Sequence, residues 1–319
     1  MRHVRVAGLI AAVMIIATQA GLAQPPLRVD RDDIGSRDLF YGSGGPAHVP
    51  QAPFVFVKED FDGTKPKVIV TDANQVKWKL KFGSEAQPEV AATRILWAVG
   101  YWVDEDYYLP LIHVEGLPAH LQRGRSYVGQ GGTIRDVRFE RKPKGDKKIG
   151  DWDWFDNPFV GTRDLNALRV IMAVISNWDL KRTNNSIRNL DGVEGAYYVG
   201  DLGRSFSRSR VFGWSNGGGD DYATAPFIAR TTATTIDFDL LPCPTAVRAL
   251  GPLSHANCKG LGRVVEGIPR ADAHWTGELL SQLSDEQIGD AFRAAHYSPD
   301  QVLLNTKAMR KRIDALLGL

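Results

Sequence analysis

The sequence predicts an α+β protein of two lobes, a small β-rich lobe with one helix followed by a larger helical lobe. Between residues 54 and 82, apolar and polar residues alternate in three short runs separated by turn residues, which is typical of half-buried strands. After residue 162 the apolar spacing changes to three and four, which indicates a helix. A chain of 319 residues, 43% hydrophobic and 24% charged, suffices for one two-lobed domain or two small domains.

The predicted N-terminal lobe spans residues 51–142. Pro88 opens its one helix, which runs from Glu89 to Val99 and ends at Gly100. Runs with strand character surround this helix: Phe54–Lys58, Lys67–Thr71, Val76–Phe82, Leu109–Val114 and Thr133–Phe139.

A linker with several glycines, residues 143–161, separates this lobe from a C-terminal lobe that spans residues 162–319. The second lobe begins with a helix that starts at Thr162, has Leu165 and Leu168 on its apolar face, and runs into a loop at Asp179. Three later elements are predicted: a short strand at Tyr197–Val199, a helix capped by Ser284 with Gln287 at its third position, and a helix opened by Ser298-Pro299.

The first 23 residues have the pattern of a signal peptide. Basic residues come first, an apolar stretch follows over residues 6–17, and small residues before a cleavage point after Ala23 complete the pattern. A membrane anchor is the alternative, but the apolar stretch is short for a span and Gln24-Pro25-Pro26 follows it at once. We therefore expect a secreted or periplasmic protein without a transmembrane segment in the mature chain, beginning with an extended leader over residues 24–50.

The charge distribution argues against nucleic acid as a partner. The net charge is only +2, and the lysines and arginines are spread along the chain rather than concentrated in stripes.

The two cysteines, Cys243 and Cys258, lie in a segment rich in Pro and Gly. In an exported protein we expect a disulfide bond between them, and two buried free thiols are the alternative. A zinc site is less favoured because only His255 is near.

A spaced set of polar residues predicts phosphotransfer chemistry. Asp179 and Asn184 lie in one loop, and Asp201 follows a short strand. Phosphoryl transfer needs a carboxylate that orients the attacking hydroxyl and takes its proton, and oxygen ligands that hold Mg²⁺ or Mn²⁺ against the phosphates. Asp179 fits the role of base, and Asn184 and Asp201 fit the role of metal ligands.

These residues resemble the protein-kinase superfamily, and in particular its atypical branches, the secretory-pathway kinases of the Golgi and the HipA-type bacterial kinases. The run from Asp179 to Asn184 is similar to the catalytic loop, and Asp201-Leu202-Gly203 is similar to the metal-binding triplet. The resemblance covers residues 54–206 and implies a two-lobed kinase-like fold that binds ATP with Mg²⁺ or Mn²⁺ between its lobes. It also implies that Lys181, in the same loop, contacts phosphate.

The resemblance further implies an ion pair between a strand lysine and a helix glutamate. Lys81 fits the lysine, at the end of a strand that alternates lysines with apolar residues. Glu89 fits the glutamate and is expected in the first turn of its helix, while Glu85 is a rival for the same pairing.

Two departures from the family pattern limit what the resemblance implies. Asn177-Trp178 precedes Asp179 where the family has His-Arg, so control by a phosphorylated activation loop is not expected. The connection between the first two strands contains one glycine, Gly63, so a glycine loop that cradles phosphates is not expected either.

A serine hydrolase is the alternative enzyme class. Residues 213–217 match the Gly-x-Ser-x-Gly elbow with Ser215 as nucleophile, and Asp237, His255 and His274 follow in the required order. The surroundings argue against it, because the glycine run after Ser215 does not favour a helix.

The sequence thus predicts an exported phosphotransferase that transfers the γ-phosphate of ATP to a hydroxyl acceptor of unknown identity. A nucleotide-binding pseudokinase or an exported interaction domain without turnover is the alternative.

Overall fold

The fold is taken from a computed structural model that describes residues 25–63, 65–190, 192–207, 219–240 and 260–319. The predicted α+β class is confirmed, since a β-rich lobe with one α-helix precedes a larger lobe that ends in three helices.

The first lobe contains five strands and one helix: β1 (Phe54–Asp60), β2 (Lys67–Thr71), β3 (Lys77–Phe82), α1 (Ala86–Ala98), β4 (Asp106–Glu115) and β5 (Thr133–Arg141). The second part of the chain contains β6 (Lys147–Gly150), α2 (Arg163–Val174), β7 (Asn185–Leu190), β8 (Val193–Val199), α3 (Gly219–Thr224), β9 (Ile228–Thr231), β10 (Thr235–Phe238), β11 (Ile268–Pro269), α4 (Arg270–Ser281), α5 (Asp285–Ala294) and α6 (Pro299–Leu317).

The strands of the first lobe form a closed barrel in the order β1-β2-β3-β5-β4. Neighbouring strands are antiparallel except at the closure, where Phe54 and Val55 of β1 pair in parallel with β4. Because side chains alternate between the two faces of a strand, one residue in two points into the barrel. The interior is an apolar cluster that includes Phe54, Val68, Val70, Trp78, Leu80, Phe82, Ile134, Val137 and Phe139.

Helix α1 connects the barrel to the second lobe. It begins at Ala86, three residues before the predicted start, and it is buried along nearly its whole length. Its apolar side chains belong to the core of the second lobe and not to the barrel interior. The side-chain amide of Gln87 donates to the carbonyls of Ala295 and His296 at 3.0 and 3.1 Å, which fixes the start of α1 against the end of α5.

The helix starts predicted in the second lobe are confirmed. Thr162 caps α2 by accepting from the backbone N–H of Leu165 at 3.3 Å. Ser284 and Ser298 each form a complete capping box, the first at α5 and the second at α6. A cap satisfies backbone N–H groups that have no partner inside the helix, which is why it marks the boundary in the sequence.

Two segments differ from their sequence-based expectation. Residues 25–50, the predicted leader, contain three 3-10 turns and bury Leu27, Ile34 and Leu39 in the main core. The predicted linker 143–161 contains β6, which pairs with β7 in a three-stranded sheet with β8. In both segments the apolar residues are too few and too isolated to form a period, so no local pattern predicts these elements.

The signal-peptide prediction for residues 1–23 and the disulfide prediction for Cys243 and Cys258 lie outside the described residues. Within the described part of the chain, no helix combines the length and the apolar character needed to cross a bilayer.

Candidate active site

A cleft of about 860 Å³ lies between the outer face of the barrel sheet and the β6–β8 sheet. Its lining includes five of the predicted site residues: Lys81, Glu89, Lys181, Asn184 and Asp201. Asp179, the predicted base, is not among the lining residues, although it belongs to the same loop as Lys181 and Asn184.

Lys81 is the centre of the site. It is only 4% exposed, because β3 carries it to the end of the strand beside α1. Its ammonium Nζ contacts carboxylate oxygens of Asp201 at 2.5 Å, Glu89 at 3.1 Å and Glu85 at 3.2 Å. Burial acts to lower the pKa of Lys81, but Glu89 and Asp201 outweigh it and raise the pKa above its ordinary value. Lys81 therefore carries a fixed positive charge.

Both candidates for the ion pair with Lys81 contact it. Glu89 lies in the first turn of α1, as predicted, and is 2% exposed. Glu85 directly precedes α1 and is shared with Lys65 at 3.0 Å and Arg204 at 2.8 Å. Lys81 is thus shared between the two glutamates at nearly equal distances, and each glutamate has a further cationic partner.

Arg138 on β5 is a functional candidate that the sequence did not reveal. Its guanidinium contacts Glu89 at 2.5 Å and Glu140 at 2.5 Å, and it holds Glu89 from the side opposite Lys81. Burial raises the pKa of Glu89, and Arg138 and Lys81 act against that rise without cancelling it. The signal was present in the alternation of β5, since Lys81 pairs with Arg138 and Lys79 with Glu140 across the β3–β5 ladder.

Asp201 reaches the cleft at the end of β8. Its φ of 52° lies in the left-handed region, which non-glycine residues seldom adopt and which often marks a functional position. Burial acts to raise the pKa of Asp201, but the Lys81 ammonium prevails and the pKa lies below its ordinary value. The carboxylate is therefore ionised at neutral pH.

Asn184 is oriented by its own loop. Its side-chain N–H donates to the backbone carbonyl of Asp179 at 2.6 Å, which leaves the amide oxygen as the free coordinating atom of the side chain. An amide oxygen and an ionised carboxylate form a donor set that suits Mg²⁺ or Mn²⁺ and not zinc. Among the described residues, no three His, Cys, Asp or Glu side chains form a cluster that would hold a metal by themselves. Mg²⁺ commonly binds through one or two carboxylates together with substrate phosphates, so Asn184 and Asp201 fit that metal.

Asp179 and Lys181 form an ion pair in the same loop. The Lys181 Nζ lies 2.7 Å from the Asp179 carboxylate, whose side chain is 13% exposed. Lys181 extends from there into the cleft, so the pair joins the predicted base to the cleft wall.

The residues of the alternative hydrolase site have other partners where they are described. The Asp237 carboxylate accepts from Arg230 at 2.8 Å and from the backbone N–H of Gly267 at 2.7 Å. His274 faces Glu278 at 3.5 Å on its own helix. Neither contact builds a Ser-His-Asp relay, and Ser215 and His255 lie outside the described residues.

The solved structures that are similar to this chain include the following three. A proinflammatory kinase of Helicobacter pylori, CtkA, is 12% identical, with 84% of this chain and 98% of that chain covered and a TM-score of 0.45. A Golgi casein kinase with Mn and ADP bound is 12% identical over 84% of this chain and 72% of that chain, again with a TM-score of 0.45. A further structure of a Golgi casein kinase is 11% identical over 91% of this chain and 76% of that chain, with a TM-score of 0.45.

No protein-family model and no curated protein matches the sequence. The chemistry assigned to the cleft therefore rests on its own geometry.

Proposed function

We propose that this protein is an exported, metal-dependent phosphotransferase that passes the γ-phosphate of ATP to a hydroxyl group of an acceptor. The observation that carries the proposal is the convergence of a fixed ammonium, Lys81, with an ionised carboxylate, Asp201, and an oriented amide, Asn184, on one cleft. The export part rests on the signal-peptide pattern of residues 1–23.

The side chains divide the work between binding and proton transfer. Lys81, held in place by Glu89, contacts the phosphates of the nucleotide, and Lys181 approaches them from the opposite wall. Asp201 and Asn184 hold Mg²⁺ or Mn²⁺. The chemistry that this ion supplies when bound is neutralisation of the charge on the phosphate oxygens.

Proton transfer falls to Asp179. Its carboxylate orients the acceptor hydroxyl and takes the proton as the new O–P bond forms and the bond from the γ-phosphorus to ADP breaks. The Lys181 ammonium holds this carboxylate at 2.7 Å and fixes it within its loop.

Substitution of the base and of the metal ligand tests the proposal. Asp179→Asn is expected to leave ATP affinity nearly unchanged and to lower phosphate transfer about 100-fold or more, because general-base catalysis contributes on that scale. Asp201→Ala is expected to abolish metal-dependent ATP binding and the increase in melting temperature that ATP with Mg²⁺ gives by linkage.

Affinity is measured by calorimetry with Mn²⁺ present, and transfer by radiolabelled phosphate on the protein itself or on a generic hydroxyl acceptor. Asp290→Asn, a change on α5 outside the cleft lining, is the matched control for the loss of one negative charge. If Asp179→Asn and wild type bind ATP and show the same residual turnover, the protein binds nucleotide without catalysis and the proposal is wrong.

A further inference from the structure

Charged side chains make up most of the cleft wall. Of the described residues that line it, Val57 and Ile69 are the only two with an apolar side chain. Ligand pockets are usually lined mainly by apolar and aromatic groups, which cover the flat, poorly hydrated parts of a ligand. The composition of this wall therefore suits a ligand that is charged along its length.

Two lysines, Lys67 and Lys81, lie directly opposite each other on neighbouring strands of the cleft wall. In the β2–β3 ladder Lys67 pairs with Lys81, and both side chains line the cleft. Side chains directly opposite in an antiparallel pair have Cβ atoms about 5 Å apart, and like charges at such positions repel. Lys81 is already paired with carboxylates, so an anion bound between the two lysines would compensate mainly the charge of Lys67.

Lys67 has no carboxylate within ion-pair distance among the described residues. Its ammonium donates to the backbone carbonyl of Asp62 at 2.6 Å, while Asp60, the residue opposite on β1, lies farther away. Burial lowers the pKa of Lys67, and the nearby charges of Lys79 and Lys81 lower it further. This positive charge is thus only partly compensated by the protein.

The lysine row continues along β3. Lys77 and Lys79 lie on the same face as Lys81, with successive side chains about 6.7 Å apart along the strand. Lys79 is neutralised by Glu140 at 2.7 Å, so the uncompensated charge lies at Lys67 and at the exposed Lys77 on either side of it. The cleft therefore offers positive charge at more than one place beyond Lys81.

We propose that the cleft recognises its phosphate donor through the polyphosphate chain and not through the nucleobase. Lys67 and Lys81 bind the phosphates together and form what we call the phosphate clamp. This inference rests on the proposed function for the identity of the site and adds the chemical class of its ligand. A nucleoside triphosphate and inorganic polyphosphate share the chemistry that the clamp binds.

Calorimetric titrations with Mn²⁺ present distinguish binding through the polyphosphate chain of the ligand from binding through its nucleobase. The ligands are ATP, GTP, inorganic tripolyphosphate and adenosine. We expect the first three to bind within about threefold of one another and adenosine to show no measurable binding, since the described wall offers two apolar side chains to a purine ring. ATP that binds more than about tenfold tighter than either GTP or tripolyphosphate would overturn the inference, as would the absence of binding by all four ligands.

The variant Lys67→Met tests the clamp itself. Removal of one of two facing like charges relieves repulsion, so the variant is expected to fold with an unchanged or higher melting temperature. We expect it to weaken ATP and tripolyphosphate by the same factor, about tenfold, which is the scale of one charge-assisted hydrogen bond. Lys311→Met, an exposed lysine on α6 outside the cleft lining, is the matched control. Unchanged affinity in Lys67→Met, or a loss that affects ATP alone, contradicts the clamp.

The two proposals fail in different ways. Equal binding of ATP and tripolyphosphate, with no effect of Asp179→Asn on turnover, leaves the clamp intact and removes the catalytic function. Base-selective ATP binding together with transfer that depends on Asp179 contradicts the clamp and leaves the catalytic function intact.

Discussion

The two faces of β3 differ in chemistry, one being apolar and the other carrying three lysines. Trp78, Leu80 and Phe82 point into the barrel, where each is no more than 4% exposed. Lys77 and Lys79 on the other face point into the cleft, and the third lysine of that face, Lys81, is as deeply buried as the aromatic residue beside it. One face is held by apolar contact and the other by ion pairs.

This difference indicates that the apolar face of β3 stabilises the fold and that its lysine face is available to a ligand. Burial of apolar area is the dominant favourable contribution to folding. Desolvation of charges is costly even when they are paired, so a network such as Lys81, Glu89 and Arg138 adds little net stability. We therefore expect the charges of this cleft to serve a ligand and not the stability of the fold.

The largest expected effect comes from the apolar face. Trp78 packs edge-on against Tyr107 and Phe139 with ring centroids 5.8 Å apart in both contacts, and its indole N–H donates to Asp72 at 3.0 Å. Trp78→Ala removes these contacts and leaves a cavity, so we expect the free energy of unfolding to fall by about 4 kcal/mol. Urea denaturation followed by circular dichroism measures it.

Lys77→Ala, on the cleft face of the same strand, is the control for that experiment, and we expect a change within about 0.5 kcal/mol because Lys77 is exposed. If the two variants lose similar stability, the division of the strand into a stabilising face and a ligand face is wrong.

The alternation of β3 also explains how much of the fold was predictable. Period-two patterns identified all five barrel strands, and the capping residues Thr162, Ser284 and Ser298 identified the starts of α2, α5 and α6, because each signal is local in sequence. Strands β6, β7 and β9–β11 were not predicted. The residues of β6 and β7 are mostly polar and find their partners only across the fold. Closure of the barrel through β1 and β4 is a non-local contact of the same kind.

The candidate site was predictable where motif spacing carries the chemistry. Lys81, Glu89, Asn184 and Asp201 meet at one cleft, as the resemblance implies. Arg138 and Arg204, which hold the two glutamates, were not found, because an arginine on a strand or loop is most often solvated and only the tertiary fold reveals its partner. The roles of all these residues remain predictions until the substitutions are made.

A smaller effect is expected at the contact between the turn after Asp201 and the start of α1. Gly203 follows the Asp201 turn and lies against Glu85, so that a Cβ at residue 203 would lie 2.6 Å from the Cβ of Glu85 and 3.0 Å from its carbonyl oxygen. Gly203→Ala therefore has to displace the start of α1 or the turn, at a cost of about 2 kcal/mol. Urea denaturation measures the loss of stability.

Gly267→Ala is an unsuitable control for Gly203, because its φ of 65° adds backbone strain. Gly260, with open space around its Cβ position and no left-handed φ, is the matched site, and Gly260→Ala is expected to be near neutral. Equal stability of Gly203→Ala and wild type would show that the contact between the turn and α1 is loose.

The smallest effect concerns the pH dependence of the ion pair between Asp201 and Lys81. The pKa of Asp201 is lowered in the folded protein, because Lys81 outweighs the opposing effect of burial. A carboxyl group whose folded pKa lies below its unfolded value of about 3.9 stabilises the folded state above that value, and this contribution is lost as the pH falls through the folded pKa. The stabilisation is therefore complete at pH 7 and declines below about pH 4.

Comparison of wild type with Asp201→Asn isolates this contribution. Since the Asp201 side chain is 43% exposed, solvent screens the pair, and we expect a difference in unfolding free energy of less than about 1 kcal/mol at pH 7. The difference should shrink toward zero between pH 4 and pH 2.5, and urea denaturation of both proteins at intervals across that range measures it. Asp290→Asn, an aspartate outside the cleft, corrects for the general effect of removing one carboxylate. A difference that grows as the pH falls would mean that the folded pKa of Asp201 is raised, and the Lys81 ammonium would then not stabilise the ionised carboxylate that the metal site requires.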